Sequence, residues 1–413
     1  MNKVSPIAST FRLEPSGAEV DVVTSAAQLA PALQAQAQQA DALCWLPDET
    51  IAALDAARLF DMSVPRSYGG LQSSLDTYLD TLIELGRADG SVAWTVAMIS
   101  TATWLAATVY PPAIADQVFG RPGEWRAAGS FAARSAKVKR APGGLLIEEG
   151  LWMYATGVHH ARWVNLGVPL PDQSGQATER AYALVPASAV SLLEDWDAIG
   201  LRGTGSTSVT VRDLFVPDER ISPMSRILRD EYAAGYLRDA PIYWMPMLPL
   251  FAVRLVCPII GMGKAALEFF LKNIHTRGIA FTIYQKQSDT AATHLRIGEA
   301  SAKLDAAESI VRNAFRQLET SASRLETMTN RQRAQIWRDA GFASQLIWEA
   351  VDMLAFASGT AAVDRNNPMS RIWHDVRVAC MHGGLYRDAY LENYGRLATG
   401  KSPLTPLLPV DLP

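Results

Sequence analysis

Residues 200–217 read GLRGTGSTSVTVRDLFVP. Three glycines among hydroxyl side chains suggest a phosphate cradle, which requires backbone amides facing the anion and then the start of a helix. Gly205 leads instead into a strand: Val209 and Val211 alternate with Thr210 and Arg212. The spacing GLRGTG also departs from GxGxxG. The stretch therefore predicts a turn entering an edge strand, and it anchors a β segment around itself.

Working outward from that strand, KVKR, APGG and LLIEEGLW read as strand, tight turn and strand, and WVNLGVPL and RAYALVP supply further short runs. Before them, from about residue 21 to 120, apolar residues recur at three and four, the period of a helix. After about residue 245 come four long helical segments with short connections, which suit an antiparallel bundle. Segregated elements of this kind predict an α+β fold in three parts: residues 1–122 helical, 123–235 β, and 236–413 a four-helix bundle. The proline-rich tail PLTPLLPVDLP predicts a surface strap.

GMGKAA, Gly261 to Ala266, matches GxGxxA formally. Pro258 interrupts the strand that would have to precede it, and no βαβ unit surrounds it. The alternative is a pair of small residues that lets helices approach closely.

The chain of 413 residues carries 38 Lys and Arg against 42 Asp and Glu, with no basic block, so nucleic acid and anionic membrane are poor partners. No basic leader with an apolar stretch opens the sequence, and a cytoplasmic protein is expected. Cys44, Cys257 and Cys380 stand far apart with no CxxC, which predicts three reduced, buried thiols and no zinc site. His159 and His160, read as neighbours on a strand, point to opposite faces and have no carboxylate-rich partner, so no metal is expected.

Five stretches occur in order: VPRSYGG (64–70), RADGSVAW (87–94), GLWMYATGVHHARW (150–163), WDAIGLRGTGSTSVTVRDLFVP (196–217) and RIWHDVRVACMH (371–382). Together they resemble the acyl-CoA dehydrogenase superfamily, and within it the two-component flavin-dependent monooxygenases. The resemblance implies the fold read above, with a β-barrel or sandwich in the middle and a bundle that drives tetramerisation. It implies reduced FMN or FAD, delivered by a separate NAD(P)H flavin reductase. Oxygen would add at flavin C4a, and the resulting hydroperoxide would hydroxylate a small substrate or oxygenate its nitrogen or sulfur. The missing nicotinamide site agrees with such a division of labour.

The same motifs imply the site residues. Thr156 in YATG stands where the branch places a hydroxyl near flavin N5. His382 is the matching acid/base. On one continuous helix it would share a face with Arg371 and Asp375, and Gly383 and Gly384 would leave it at a C-terminus where the dipole favours the imidazolium. The resemblance further assigns Trp152 to a wall of the flavin ring, Ser130 to its vicinity, Arg277 to the flavin phosphate, and Ser358 and Gly359 to a phosphate from a neighbouring subunit. Trp94, His160 and Trp244 are expected to border an apolar or aromatic substrate, with Trp104, Trp163 and Tyr243 on segments nearby. A dehydrogenase would need a carboxylate base. The positions read as its two usual places hold Asn366 and Val253, with Asp364 two residues from the first. An acyl-CoA dehydrogenase and a non-catalytic scaffold are the alternatives.

Overall fold

The computed structural model describes residues 17–409 apart from 122, 173 and 238. The expectation about the leader falls on residues 1–16, outside the described residues.

Five helices open the chain: α1 (Gly17–Leu43), α2 (Asp48–Ala56), α3 (Leu75–Ala88), α4 (Gly90–Val109) and α5 (Pro112–Phe119). The helical run across residues 75–110 is two helices, because Asp89 adopts an extended conformation and its carboxylate accepts the Val92 amide at 2.9 Å. An aspartate in that geometry is a strong N-cap. It ends α3 and starts α4, whose residues are buried on nearly every side.

Eight strands come next: β1 (Ala127–Ser130), β2 (Ala133–Ala141), β3 (Gly144–Trp152), β4 (Trp163–Pro171), β5 (Ala177–Pro186), β6 (Ser191–Leu192), β7 (Val209–Pro217) and β8 (Ile221–Pro223). They form two four-stranded sheets, ordered β1-β4-β5-β8 and β2-β3-β7-β6. All pairings are antiparallel except β1 with β4. Residues 209–217 are β7, a strand as their alternation predicts but not the edge strand expected: β3 pairs along one side and the two-residue β6 covers Val209 and Thr210 on the other.

The C-terminal helices are α6 (Met224–Leu228), α7 (Met247–Asn273), α8 (Ala291–Ser323), α9 (Asn330–Ala357), α10 (Pro368–Cys380) and α11 (Arg387–Ala398). The last predicted bundle segment is thus split in two. The β sheets enclose their own core of Leu145, Ile147, Trp152, Val164 and Val211. The helices before and after them share a single core, in which Leu79, Ile83 and Trp104 pack with Val256, Ile260 and Ile347.

GMGKAA lies inside α7 and serves helix contact. A Cβ on Gly261 would stand 2.3 Å from the Ile83 carbonyl oxygen, and one on Gly86 would stand 2.5 Å from that of Pro258, so α3 and α7 meet backbone to backbone. Helices α4 and α7 are long and apolar enough to span a bilayer, but 94% and 83% of their apolar windows are buried in the core. Cys257 is buried as expected, whereas Cys44 and Cys380 are only half-buried. The tail runs back over the bundle: the Leu404 amide donates to Asn393, and Leu408 is buried in the core. Residues 410–413 of that expected strap lie outside the described residues.

Candidate active site

The loop that precedes β7 joins all three parts of the chain. Leu201 and Gly205 take left-handed conformations at φ 51° and 56°, which fold residues 200–208 into a tight knot. Gly200 lies against α10, where a Cβ would stand 2.4 Å from the His374 carbonyl, and Gly203 lies between Ala40 of α1 and Ser91 of α4. Arg202 donates to the Asp41 carbonyl, to Asp197 and to Cys44 Sγ.

Two chemical groups leave this knot. The first is a chain of hydroxyls: Thr156 to Ser206 at 2.7 Å, Ser206 to Thr204 at 2.7 Å, and Thr204 to the Leu201 carbonyl at 2.8 Å. The second is a buried acid: the Leu201 amide donates to Asp375 Oδ1 at 2.5 Å. Asp375 is held well above the usual carboxylate range by burial and then by the neighbouring Asp89. Burial also raises Asp89 against the opposing charge of Arg371, and raises Asp41 to about 6. The family-like motifs around residues 89, 202 and 375 therefore converge on one buried acidic cluster.

His382 lies just beyond the end of α10, not on a continuous face with Arg371 and Asp375. Its Nδ1 accepts the Gly384 amide at 3.0 Å, which fixes the proton on Nε2. The ring sits between Trp94, at 5.8 Å between centroids, and Phe251, at 5.7 Å. Burial lowers its pKa to about 4. The expected imidazolium is thereby corrected: desolvation outweighs the helix dipole, and the ring is neutral. Trp94 belongs to the first turns of α4, and the same turns face Thr156, since a Cβ on Gly157 would meet Ile99 at 2.9 Å and Thr95 at 3.3 Å. Helix α4 thus brings Thr156 and His382 to one region. Ser130 donates to the Met153 carbonyl at 3.0 Å, three residues before Thr156 in the chain.

Other expected residues lie elsewhere. Trp152 is fully buried in the β core, donating to the Gly167 carbonyl, so it has no face free for a flavin ring. Trp244 donates to the Leu237 carbonyl and borders a cleft with Arg229, Leu325 and Glu326, whose lining does not include His382. Trp163 stacks under Arg220. His159 and His160 occupy a tight turn instead of a strand; His159 stacks on Trp45, and the His160 carbonyl is held by Arg126. Burial and then His159 lower the His160 ring to about 4.

Arg277 and Gly359 do meet, the guanidinium lying 2.7 Å from where a Gly359 Cβ would be, while the Ser358 hydroxyl turns inward to the Leu354 carbonyl. That pair stands at the start of α10 and His382 at its end, about 20 Å apart along a helix of 13 residues. Asn366 and Asp364 are exposed on the turn at the same far end. Neither stands beside His382, and the residues that follow α10 there, His382, Gly383 and Gly384, include no carboxylate.

Sequence patterning also passed over Arg254. It is fully buried on α7, one turn beyond Phe251, and none of its three nitrogens has a hydrogen-bond partner. A single cation inside the apolar run LPLFAVRLVCPII was the available signal.

These groups fit a flavin. The Thr156 hydroxyl, chained to Ser206, and the unpartnered buried Thr95 hydroxyl offer hydrogen bonds to a ring edge. Arg277, over the bare backbone of Gly359, offers a cation to a phosphate.

A family model described as the acyl-CoA dehydrogenase C-terminal domain matches residues 254–387. The chain is 29% identical over 364 residues, 87% of its length and 91% of the relative's, to the flavin-dependent monooxygenase oxygenase subunit HsaA of Mycobacterium tuberculosis. It is 27% identical over 411 residues, 98% of its length and 99% of the relative's, to the oxygenase component of the FADH(2)-dependent resorcinol hydroxylase of Rhizobium sp.. The solved structure of XiaF from Streptomyces sp. in complex with FADH2 and glycerol matches with a TM-score of 0.87 at 29% identity, covering 94% of this chain and 97% of that one.

Proposed function

We propose that this chain, which belongs to the oxygenase components of two-component flavin-dependent monooxygenases on the acyl-CoA dehydrogenase fold, inserts one atom of O2 into a small aromatic substrate beside His382. Reduced FMN or FAD, supplied by a separate reductase, activates the oxygen when bound. The observation that carries the reading is the neutral His382, its Nδ1 capped by Gly384 and its ring between Trp94 and Phe251. A ring in that state presents Nε2–H as a hydrogen-bond donor, and the two aromatic faces suit an aromatic substrate. Resorcinol hydroxylation by one relative points the same way.

Thr156 orients the flavin edge, and its hydroxyl can donate or accept because Ser206 can take either role. His382 holds a proton at Nε2 for the oxygen being transferred. With no carboxylate at the end of α10, abstraction of a proton beside a thioester has no base there, which disfavours the dehydrogenase.

The phosphate pair Arg277–Gly359 and the ring pair Thr156–His382 stand at opposite ends of α10, so a homotetramer in which one subunit's Arg277 reaches a neighbour's flavin reconciles them. Exposed Phe281, Ile283, Leu295 and Phe356 supply apolar surface for that contact. We further propose a cytoplasmic assembly; three free cysteines and dependence on a separate reductase support that reading.

The test mixes protein and reduced FMN or FAD with a phenol panel under isotopically labelled O2. One labelled atom in the product is expected. Reduction of bound oxidised flavin by an acyl-CoA, with no labelled product, overturns the reading.

A further inference from the structure

Residues 382–385 form a tight turn, closed by the Leu385 amide donating to the His382 carbonyl at 2.8 Å. Its central peptide joins Gly383 to Gly384. The N–H end of that peptide donates to His382 Nδ1 at 3.0 Å, and its carbonyl end accepts the Tyr390 hydroxyl at 2.7 Å. One peptide plane therefore links the tyrosine to the imidazole.

The central peptide of such a turn can rotate between two forms, and the flipped form needs a positive φ at the third residue, which glycine adopts readily. Neither Gly383 nor Gly384 has a positive φ here, so the turn holds the form that aims the Gly384 amide at the ring. A flip would exchange the two ends of the peptide. Nδ1 would then face the Gly383 carbonyl, and the ring proton would move to it from Nε2. A Cβ on Gly383 would meet nothing within 4 Å, so packing does not wedge the peptide from that side.

Tyr390, by contrast, is fixed. Its ring stacks on Trp337 of α9, with centroids 5.1 Å apart and planes 4° from parallel. Gly341, one turn further along α9, lets the start of α11 come close: a Cβ there would stand 3.1 Å from Arg387 Cα and 3.4 Å from the Leu385 carbonyl oxygen. Helix α9 thus sets both the end of the turn and the tyrosine that reaches back to it.

We propose that Tyr390 is a positioning residue for His382: its hydroxyl locks the Gly383–Gly384 peptide, and the locked peptide keeps the imidazole oriented with its proton on Nε2. A hydroxyl donating into the carbonyl also polarises the N–H at the other end of the same amide, so the two bonds strengthen each other. The inference rests on the monooxygenase reading only for its consequence in turnover, since the tautomer belongs to the resting protein.

The tautomer is read at neutral pH by NMR of protein whose histidines carry isotopically labelled nitrogen, without flavin or substrate. His382→Asn identifies the His382 signals by their loss. Wild type is expected to show the Nε2–H tautomer alone. Tyr390→Phe keeps the ring on Trp337 and removes only the hydroxyl, and its two His382 nitrogen signals should move toward each other as the tautomers mix. Tyr394→Phe is the control: its ring lies one turn further along α11 under Arg338, 4.2 Å away, and the His382 signals should stay in place. Unchanged signals in Tyr390→Phe overturn the proposal. So does an equal displacement in Tyr394→Phe, which would mean that α11 has loosened as a whole. In turnover, kcat of Tyr390→Phe should fall by up to about a hundredfold, the scale of a misplaced group, with KM for the substrate unchanged. Displaced signals with unchanged turnover support the lock and remove His382 from the proposed reaction.

Discussion

His382→Asn separates the two things the imidazole does. An asparagine Oδ1 takes the place of Nδ1 and can still accept the Gly384 amide, so the turn that ends α10 keeps its cap. The variant loses the ring and its Nε2–H. Burial lowers the His382 pKa from 6.5 to about 4. That lowering corresponds to ~3 kcal/mol against the charged form. The figure is an upper bound, because the ring is only half-buried and solvent screens part of it. The sign comes from the lowered value: between pH 6.5 and about 4 the unfolded chain binds this proton and the folded chain does not. Stability from this group is present above pH 6.5 and falls as pH drops through that window. For 413 residues at ~2.1 cal/mol/K per residue the unfolding entropy is about 0.9 kcal/mol/K, so the effect is at most about 3–4 °C in Tm. Thermal melts should show wild type losing up to that much more than His382→Asn between pH 7 and about 4. In turnover, product formed per reduced flavin should stay level in wild type down to about pH 5. In the variant it should fall by about two orders of magnitude or more, the scale of a lost acid/base group. Unchanged coupling in the variant, or a wild-type midpoint near the ordinary 6.5, would refute the reasoning.

Asp375→Asn keeps the acceptor for the Leu201 amide and removes the ionisable proton. Because burial raises the Asp375 pKa, its stabilisation is present below the ordinary 3.8 and is lost as pH rises through the folded value. Melts of Asp375→Asn should decline less toward alkaline pH than wild type, and parallel curves would count against the buried acid. Asp375→Ala orphans the Leu201 amide and should lose about 1–3 kcal/mol at any pH. Gly200→Ala drives a Cβ to 2.4 Å from the His374 carbonyl, and overpacking of that kind costs about 1–3 kcal/mol, so an unchanged Tm would mean that loop and α10 separate freely.

The strand at 209–217 and the helices on either side were legible because each has its own period. The break at Asp89 was hidden because α3 and α4 both continue a helical pattern across it, and only the cap chemistry of one residue divides them. His382 and Thr156 were found through motif resemblance; position alone offered a helix end and a strand edge. Their common dependence on α4 was not legible, since Trp94, Thr95 and Ile99 look like ordinary core residues. Trp152 was misplaced because a tryptophan ending a strand can turn either way. Here its N–H finds the Gly167 carbonyl inside the sheet pair.

The ionisation states near the site obey one physical rule, which stays hidden in sequence when local electrostatics is weighed over burial. A helix C-terminus favours imidazolium by roughly 0.3–2 kcal/mol, yet burial lowers the His382 pKa to about 4. Burial likewise raises the pKa of Asp375 on the other side of α10. Only Arg254 cannot escape by changing its protonation, because a guanidinium keeps its proton at any ordinary pH.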